Sequence, residues 1–367
     1  MQVEDKLYWF WLCNVEKIGS KKIEHLVNYY GSPKELFYSD IKDFPYIEKI
    51  TEEDVIRIKK NRDLKMIQNK YDKLRSKGVY FVTKEEELYP KKLKNIYDPP
   101  VGLYVKGKLP KEEETVIAVI GSRDCSEYGR EMAIYLSREL AKEGLSIISG
   151  LARGVDGYAH QGALEGDGIT YGVLGCGVDI CYPRENINSY MRMQEKGGVL
   201  SEYGLSVGPN PWHFPMRNRI ISGLSEGILV IEAKEKSGSL ITVDMGLEQG
   251  KNIYALCGRA YDKLSEGCHN LIKLGGKLVT KPEDILEDFF QKNENLQKNN
   301  KKNNNLLEST EKIVYANLSF LGKHMNEIVN ETNLPVSEVT KCLLSLKLAG
   351  YIKETRANCY AYTQSEH

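Results

Sequence analysis

Between residues 116 and 288 the chain repeats one pattern: a short, continuously apolar run, a turn of Gly or Ser, then a segment of helical periodicity. The strands read at 116–122, 145–151, 168–175, 198–203, 227–233, 252–258 and 277–280, with helices beginning near Tyr128, Asp156, Asn186, Met216, Ser239 and Gly267. Apolar runs without alternation mean burial on both faces, and strand alternates with helix along the chain, so the expected fold is α/β with a doubly wound, mostly parallel sheet. Ligands of such sheets sit beyond the carboxyl ends of the strands, where these small-residue turns fall. The first turn, Gly121-Ser122-Arg123, adds a guanidinium to exposed backbone amides, a combination suited to phosphate oxygens. Four further strand ends repeat the theme: Gly150-Leu151-Ala152-Arg153-Gly154, Gly175-Cys176-Gly177, Ser237-Gly238-Ser239 and Cys257-Gly258-Arg259. A series of turns along one sheet edge describes a long anion-binding rim.

The rest of the chain frames this core. At 367 residues it is too long for one ordinary domain. Residues 1–60 read as short helices, and Val15 to Lys22 holds the small-residue turn of a helix-hairpin-helix-like unit, which equally serves as a plain connector. Residues 61–115 carry a basic helix and a proline-marked approach to the core, with Tyr89-Pro90 and Asp98-Pro99-Pro100. The Asn/Lys-rich stretch 291–308 is expected to be a flexible linker. Residues 309–367 read as three amphipathic helices and a small hairpin, a winged-helix-like layout whose third helix supplies only Lys341 and Lys347 as cations.

Composition narrows the function classes. Net charge is zero, so a polyanion must be met by local patches. The eight cysteines show no Cys-x-x-Cys pair, and no secretory or membrane-spanning segment is read, so a reducing, cytoplasmic location is expected, with no metal or other cofactor. Arg123 stands where a dinucleotide fingerprint needs its second glycine, which argues against NAD.

Two clusters carry chemistry. Trp212-His213-Phe214-Pro215-Met216-Arg217-Asn218-Arg219 sets two arginines and an amide beside flat aromatic rings. Guanidinium contacts to phosphate plus stacking on Phe214 and Trp212 suit an unpaired nucleic-acid strand. The alternative is structural, with Arg219 paired to Glu202 or Glu232 and Phe214 in the core. Asp156 and His160, four apart on one helix, form either a general-base pair or a cap with a satisfied polar neighbour. No nucleophile completes them.

These words in this order resemble the DNA-processing protein A (DprA/Smf) family: Gly121-Ser122-Arg123, Ser149-Gly150-Leu151-Ala152-Arg153-Gly154-Val155-Asp156, Tyr182-Pro183, Ser201-Glu202, Phe214-Pro215-x-Arg217-Asn218-Arg219, and Ser237-Gly238-Ser239. The resemblance implies an extended Rossmann-like core at 116–290, an N-terminal helical (SAM/helix-hairpin-helix-like) domain and a C-terminal winged-helix-like domain. It also implies a cytoplasmic homodimer, paired through the core, that binds and protects single-stranded DNA and loads the RecA recombinase onto it in natural transformation, without enzymatic activity. By motif match the DNA-binding residues would be Gly121, Ser122, Arg123, Gly150, Ala152, Arg153, Gly154, Phe214, Arg217, Asn218, Arg219, Ser237 and Gly238. Three departures stand out. Pro211-Trp212-His213 replaces a basic residue of many relatives, so a phosphate contact is lost or traded for stacking; Cys257 and Cys268 replace other residues near Arg259. The competing class is a phosphoribohydrolase-like, nucleotide-binding enzyme of related fold, but the glutamate such enzymes carry after the Gly-rich turn is missing near Lys236 to Thr242. A third class is a protein-interaction scaffold with vestigial DNA binding.

Overall fold

The computed structural model describes residues 3–42, 46–289, 309–318, 323–332, 334–348, 351–356 and 358–362. The chain divides into two compact units, Met1–Gln291 and Lys292–His367. The expected linker at 291–308 lies outside the described residues.

The first unit opens with α1 (Val3–Cys13), α2 (Ser20–Tyr30), α3 (Pro33–Tyr38), α4 (Glu52–Lys60) and α5 (Leu64–Ser76). Then follow β1 (Val79–Thr83), α6 (Lys91–Lys94), β2 (Gly102–Gly107), β3 (Val116–Ile120), α7 (Glu127–Lys142), β4 (Ser146–Ser149), α8 (Val155–Glu165) and β5 (Thr170–Leu174). The chain continues through α9 (Ile187–Lys196), β6 (Gly198–Ser201), α10 (His213–Leu224), β7 (Gly227–Val230), α11 (Gly238–Glu248), β8 (Asn252–Leu256), α12 (Glu266–Lys273), β9 (Lys277–Val279) and a helix over 283–289, α13.

All nine strands form one sheet in the order β1-β2-β6-β5-β4-β3-β7-β8-β9. From β6 to β9 every pairing is parallel; β2 runs antiparallel to β6 and β1 antiparallel to β2. The expected mostly parallel α/β sheet is therefore present. Two of its strands are an addition, because β1 and β2 arise from a stretch the sequence reading gave no strands. Prolines and charges flanking Val79–Thr83 and Gly102–Gly107 hide two short apolar runs that pair only with each other and with β6.

Strand burial follows from side-chain alternation. Val116, Ala118 and Ile120 face one core, with Ile220, Ile221 and Leu224 of α10 and Val243 of α11. Ile117 and Val119 face the other, with Leu136 and Leu140 of α7 and Val155 and Ala159 of α8. Each such branched side chain contributes about 1.5–3 kcal/mol by burial. Truncating Ile117 to Ala would cost about 2–5 kcal/mol through the cavity it leaves. A third core joins the N-terminal helices to the sheet: Phe10, Trp11 and Leu12 share a cluster with Phe81, Tyr104, Leu151 and Val199. Asn14 Nδ2 donates to Tyr104 Oη at 2.5 Å across that seam.

The second unit comprises α14 (Ser309–Ala316), β10 (Lys323–His324), α15 (Met325–Thr332), α16 (Val336–Leu348), β11 (Ile352–Arg356) and β12 (Cys359–Tyr362). Its antiparallel sheet runs β10-β12-β11. Val314, Ile328, Val339, Leu343, Leu346 and Ile352 form its core. No helix among the described residues is long and apolar enough to cross a membrane.

Candidate functional site

From β3 the chain crosses to β4, β5 and β6 on one side, then returns to build β7, β8 and β9 on the other. The order reverses between β3 and β7, and such a switch point opens a crevice at the carboxyl ends of the strands. The Gly121–Ser126 turn emerges there, braced from below by Glu232, which is buried. Ser122 N donates to the Glu232 carbonyl (2.7 Å), while Ser126 N and Oγ donate to its carboxylate at 2.8 and 2.5 Å. With its backbone held, the turn presents Arg123 to solvent.

The Arg123 guanidinium lies 5.5 Å from the centroid of the Phe214 ring. Phe214 is itself stacked on Tyr182, with centroids 5.9 Å apart and planes inclined by 29°. Tyr182 is 47% exposed, so the pair forms an open aromatic platform with a cation on it. Beside it, His213 Nδ1 donates to Gly175 O at 3.0 Å, and its ring stacks on Tyr203 at 3.9 Å. These contacts fix the start of α10.

Arg217 behaves differently. It is 4% exposed, and its Nη1 donates to Gly150 O at 2.7 Å and to Val173 O, bridging the ends of β4 and β5. Gly150 N donates to Asp156 Oδ2 at 3.1 Å, so this one residue is gripped from both sides. A Cβ at Gly150 would collide with the Arg217 guanidinium, which explains the glycine. Burial lowers the Arg217 pKa to about 10, although Asp156 pulls it back. Burial raises that of Asp156, with Arg217 opposing. His160 is fully buried and held neutral, its pKa pushed down to about 3 by burial and then by Arg217. Thr170 Oγ1 donates to Ile147 O (2.9 Å), which leaves it to accept from His160 Nδ1 at 2.7 Å. Asp156 and His160 are thus scaffold, not surface groups.

Arg219 is also an internal residue. Its Nη2 donates to both carboxylate oxygens of Glu202 at 2.9 Å, and its Nε to Asp98 Oδ2 at 3.3 Å. Burial alone would lower its pKa, but Glu202, with Asp98 beside it, offsets this and the net shift is upward. Ser20 Oγ donates to Asp98 Oδ1 at 2.6 Å, so the start of α2 is tied into the same network. Arg217 and Arg219, both expected from the sequence to line the DNA groove, have their guanidinium groups engaged by protein carbonyls and carboxylates beneath the rim.

The other expected positions fall at the same sheet edge. Gly121 and Gly150 directly follow β3 and β4, and Ala152, half-buried, lies in the loop that leads to α8. Gly154 adopts φ +79° before α8, and a Cβ there would strike the carbonyls of Ser122 and Arg123. Val155 N donates to Ser122 O (3.2 Å), so the two turns are joined. Arg153 is exposed and paired with Asp124. Asn218, half-buried, accepts from Arg217 Nε at 3.2 Å. Ser237 caps α11 and Gly238 opens it, at the end of β7 across the switch point. Of the departures, Trp212 is 80% exposed at the head of α10. Cys257 O accepts from Tyr128 Oη at 2.9 Å, and Cys268 is buried, its thiol pushed up to about 12. Sequence reasoning missed Glu232 as the brace of the first turn and Tyr182 as the partner of Phe214. No local periodicity signals either, since both act through residues distant in sequence.

A guanidinium poised over a stacked aromatic ring at the switch point of an α/β sheet is an arrangement that can meet a phosphate and a flat ring side by side. The chain is a member of the DNA recombination-mediator protein A family, whose model matches residues 80–290. It is 40% identical to the DNA processing protein DprA of Bacillus subtilis over 220 residues, 60% of this chain and 74% of that protein. It is 38% identical to protein Smf of Escherichia coli over 296 residues, 78% of this chain and 79% of that one. The X-ray structure of DNA processing protein A from Streptococcus pneumoniae superposes with a TM-score of 0.67 at 33% identity, covering 78% of this chain and 98% of that one. DNA processing protein A from Helicobacter pylori, whose structure concerns its single-stranded DNA binding mode, gives a TM-score of 0.52 at 29% identity over 58% of this chain and 96% of that one.

Proposed function

We propose that this protein binds single-stranded DNA along the carboxyl rim of its sheet, protects it, and loads the RecA recombinase onto it during DNA processing in natural transformation. It acts in the cytoplasm as a homodimer paired through the Rossmann-like core, and without breaking bonds in the DNA. The observation that carries the reading is the Arg123–Phe214–Tyr182 stack at the switch point, which offers a phosphate ligand and a base-stacking surface side by side. Burial of Asp156 and His160 beneath the loop supports the non-enzymatic role over the phosphoribohydrolase-like one. Arg217 and Arg219 serve by holding the rim in shape.

In this reading residues 1–60 are a SAM/helix-hairpin-helix-like domain, 61–115 a connecting segment, 116–290 the DNA-binding core, 291–308 a linker and 309–367 a winged-helix-like domain. The order of α14, α15 and α16 before the β11–β12 hairpin supports the last assignment. An electrophoretic shift comparing single-stranded with duplex DNA across a salt series tests the function. Preferred binding of the single strand is expected, with a log–log salt slope of about −0.7 for each phosphate neutralised. Equal affinity for both DNA forms, or no dependence on salt, would refute it.

A further inference from the structure

Next to the Arg153–Gly154 turn a groove of about 570 Å³ runs between α8 and α9. Glycine at 157 keeps its floor low, because a Cβ there would strike the Asn186 side chain. Asn186 Nδ2 in turn donates to Leu151 O and Ala152 O, both at 3.0 Å, so the groove is tied to the rim loop. The same loop that supplies Tyr182 to the aromatic platform supplies Glu185 and Asn186 to the groove. Asp124, adjacent to Arg123, pairs with Arg153 at the groove mouth. Platform and groove are therefore joined through the loops they share.

The lining has a specific chemistry. Arg153 and Arg192 supply two guanidinium groups, and Arg192 is exposed with Nη2 donating to Leu164 O at 3.2 Å. Between them stand the amides and hydroxyl of Gln161, Asn188 and Ser189, together with the carboxylates of Glu165 and Glu185. Gln161 Nε2 donates to Glu165 Oε1 at 2.8 Å. Two carboxylates would repel a bare phosphate. They suit a ligand that brings hydrogen-bond donors as well as negative charge, as a nucleotide with an amino-bearing base does.

We infer that the α8–α9 groove is a second subsite for single-stranded DNA, taking the stretch of strand next to the one on the Arg123–Phe214 platform. Its phosphates meet Arg153 and Arg192, and its base edges meet the amides and carboxylates between them. Alongside α8, about 16 Å long, there is room for a short run of about two nucleotides. This inference rests on the single-stranded DNA reading above.

The test is fluorescence anisotropy with labelled deoxycytidine oligomers of about four and about twenty nucleotides, the shorter fitting the platform alone. Charge reversal by Arg192→Glu is expected to weaken the longer oligomer about tenfold and to reduce its salt slope by about 0.7, while leaving the shorter one unchanged. Arg192→Lys should restore binding, and Asn188→Trp, which fills the groove from an exposed position, should reproduce the length-selective loss. Variants that bind both lengths as the parent does, or that lose both equally, would overturn the subsite and leave the function standing. Failure of the parent protein to bind either oligomer would instead overturn the functional reading.

Discussion

Arg217 lies close enough to Arg123 to feel its charge, yet the two sit in opposite settings. Arg123 is exposed on a braced turn with a ring beneath it. Arg217 is buried, satisfied by two carbonyls and faced by a buried carboxylate. The first can exchange water for a ligand's phosphate at little cost. The second could reach a ligand only by abandoning the ends of β4 and β5. The edge thus consists of two layers, one exposed to solvent and one that gives the exposed layer its geometry.

The contrast can be broken in four ways, judged first by stability. Arg217→Ala should be the most damaging substitution, lowering stability by about 3–5 kcal/mol because it strips the buried guanidinium that bridges Gly150 O and Val173 O and that opposes the charge of buried Asp156. Urea unfolding measures this, and adding Asp156→Ala should recover part of the loss; strict additivity of the two would show that they are not a pair. Glu232→Ala should cost about 1–3 kcal/mol by stranding the Ser126 donors. It should also weaken DNA binding with Arg123 still present, and unimpaired binding would mean the turn needs no brace.

Acidification gives a graded effect spread over several pH units. His160 titrates near 3 in the fold against 6.5 unfolded, so the unfolded state binds the extra proton between those values. Its contribution is intact above pH 6.5 and is lost as pH falls toward 3, with a slope of about 1.4 kcal/mol per pH unit. Asp156, raised by burial, acts in the opposite sense as it takes up its proton. Denaturant midpoints at stepped pH should therefore show a steeper acid decline in the parent than in His160→Gln. Arg123→Ala should change stability least, within about 0.5 kcal/mol. Its signature is weaker binding to every single-stranded sequence with a shallower salt slope; a large stability loss would place Arg123 in the scaffold after all.

Much of the architecture was legible along the chain because strand burial is written locally. The run from Val116 to Ile120 is apolar at every position, and a small-residue turn follows it whatever surrounds it. β1 and β2 were not legible, since short apolar runs among prolines and charges become strands only when β6 offers β2 an edge and β2 in turn offers one to β1. The same limit applies to the site. Phe214 was expected to stack, but its partner Tyr182 comes from a loop 32 positions earlier, brought alongside by tertiary contact.

The sequence by itself determined the family, the mostly parallel sheet and the small-residue turns along its carboxyl edge, because periodicity and turn chemistry depend on near neighbours. Only the tertiary structure decided which guanidinium faces water, which holds the core, and that a groove continues from the rim between α8 and α9. Those outcomes depend on burial and on carbonyls and carboxylates that meet across the sheet, and no stretch of chain encodes its own surroundings.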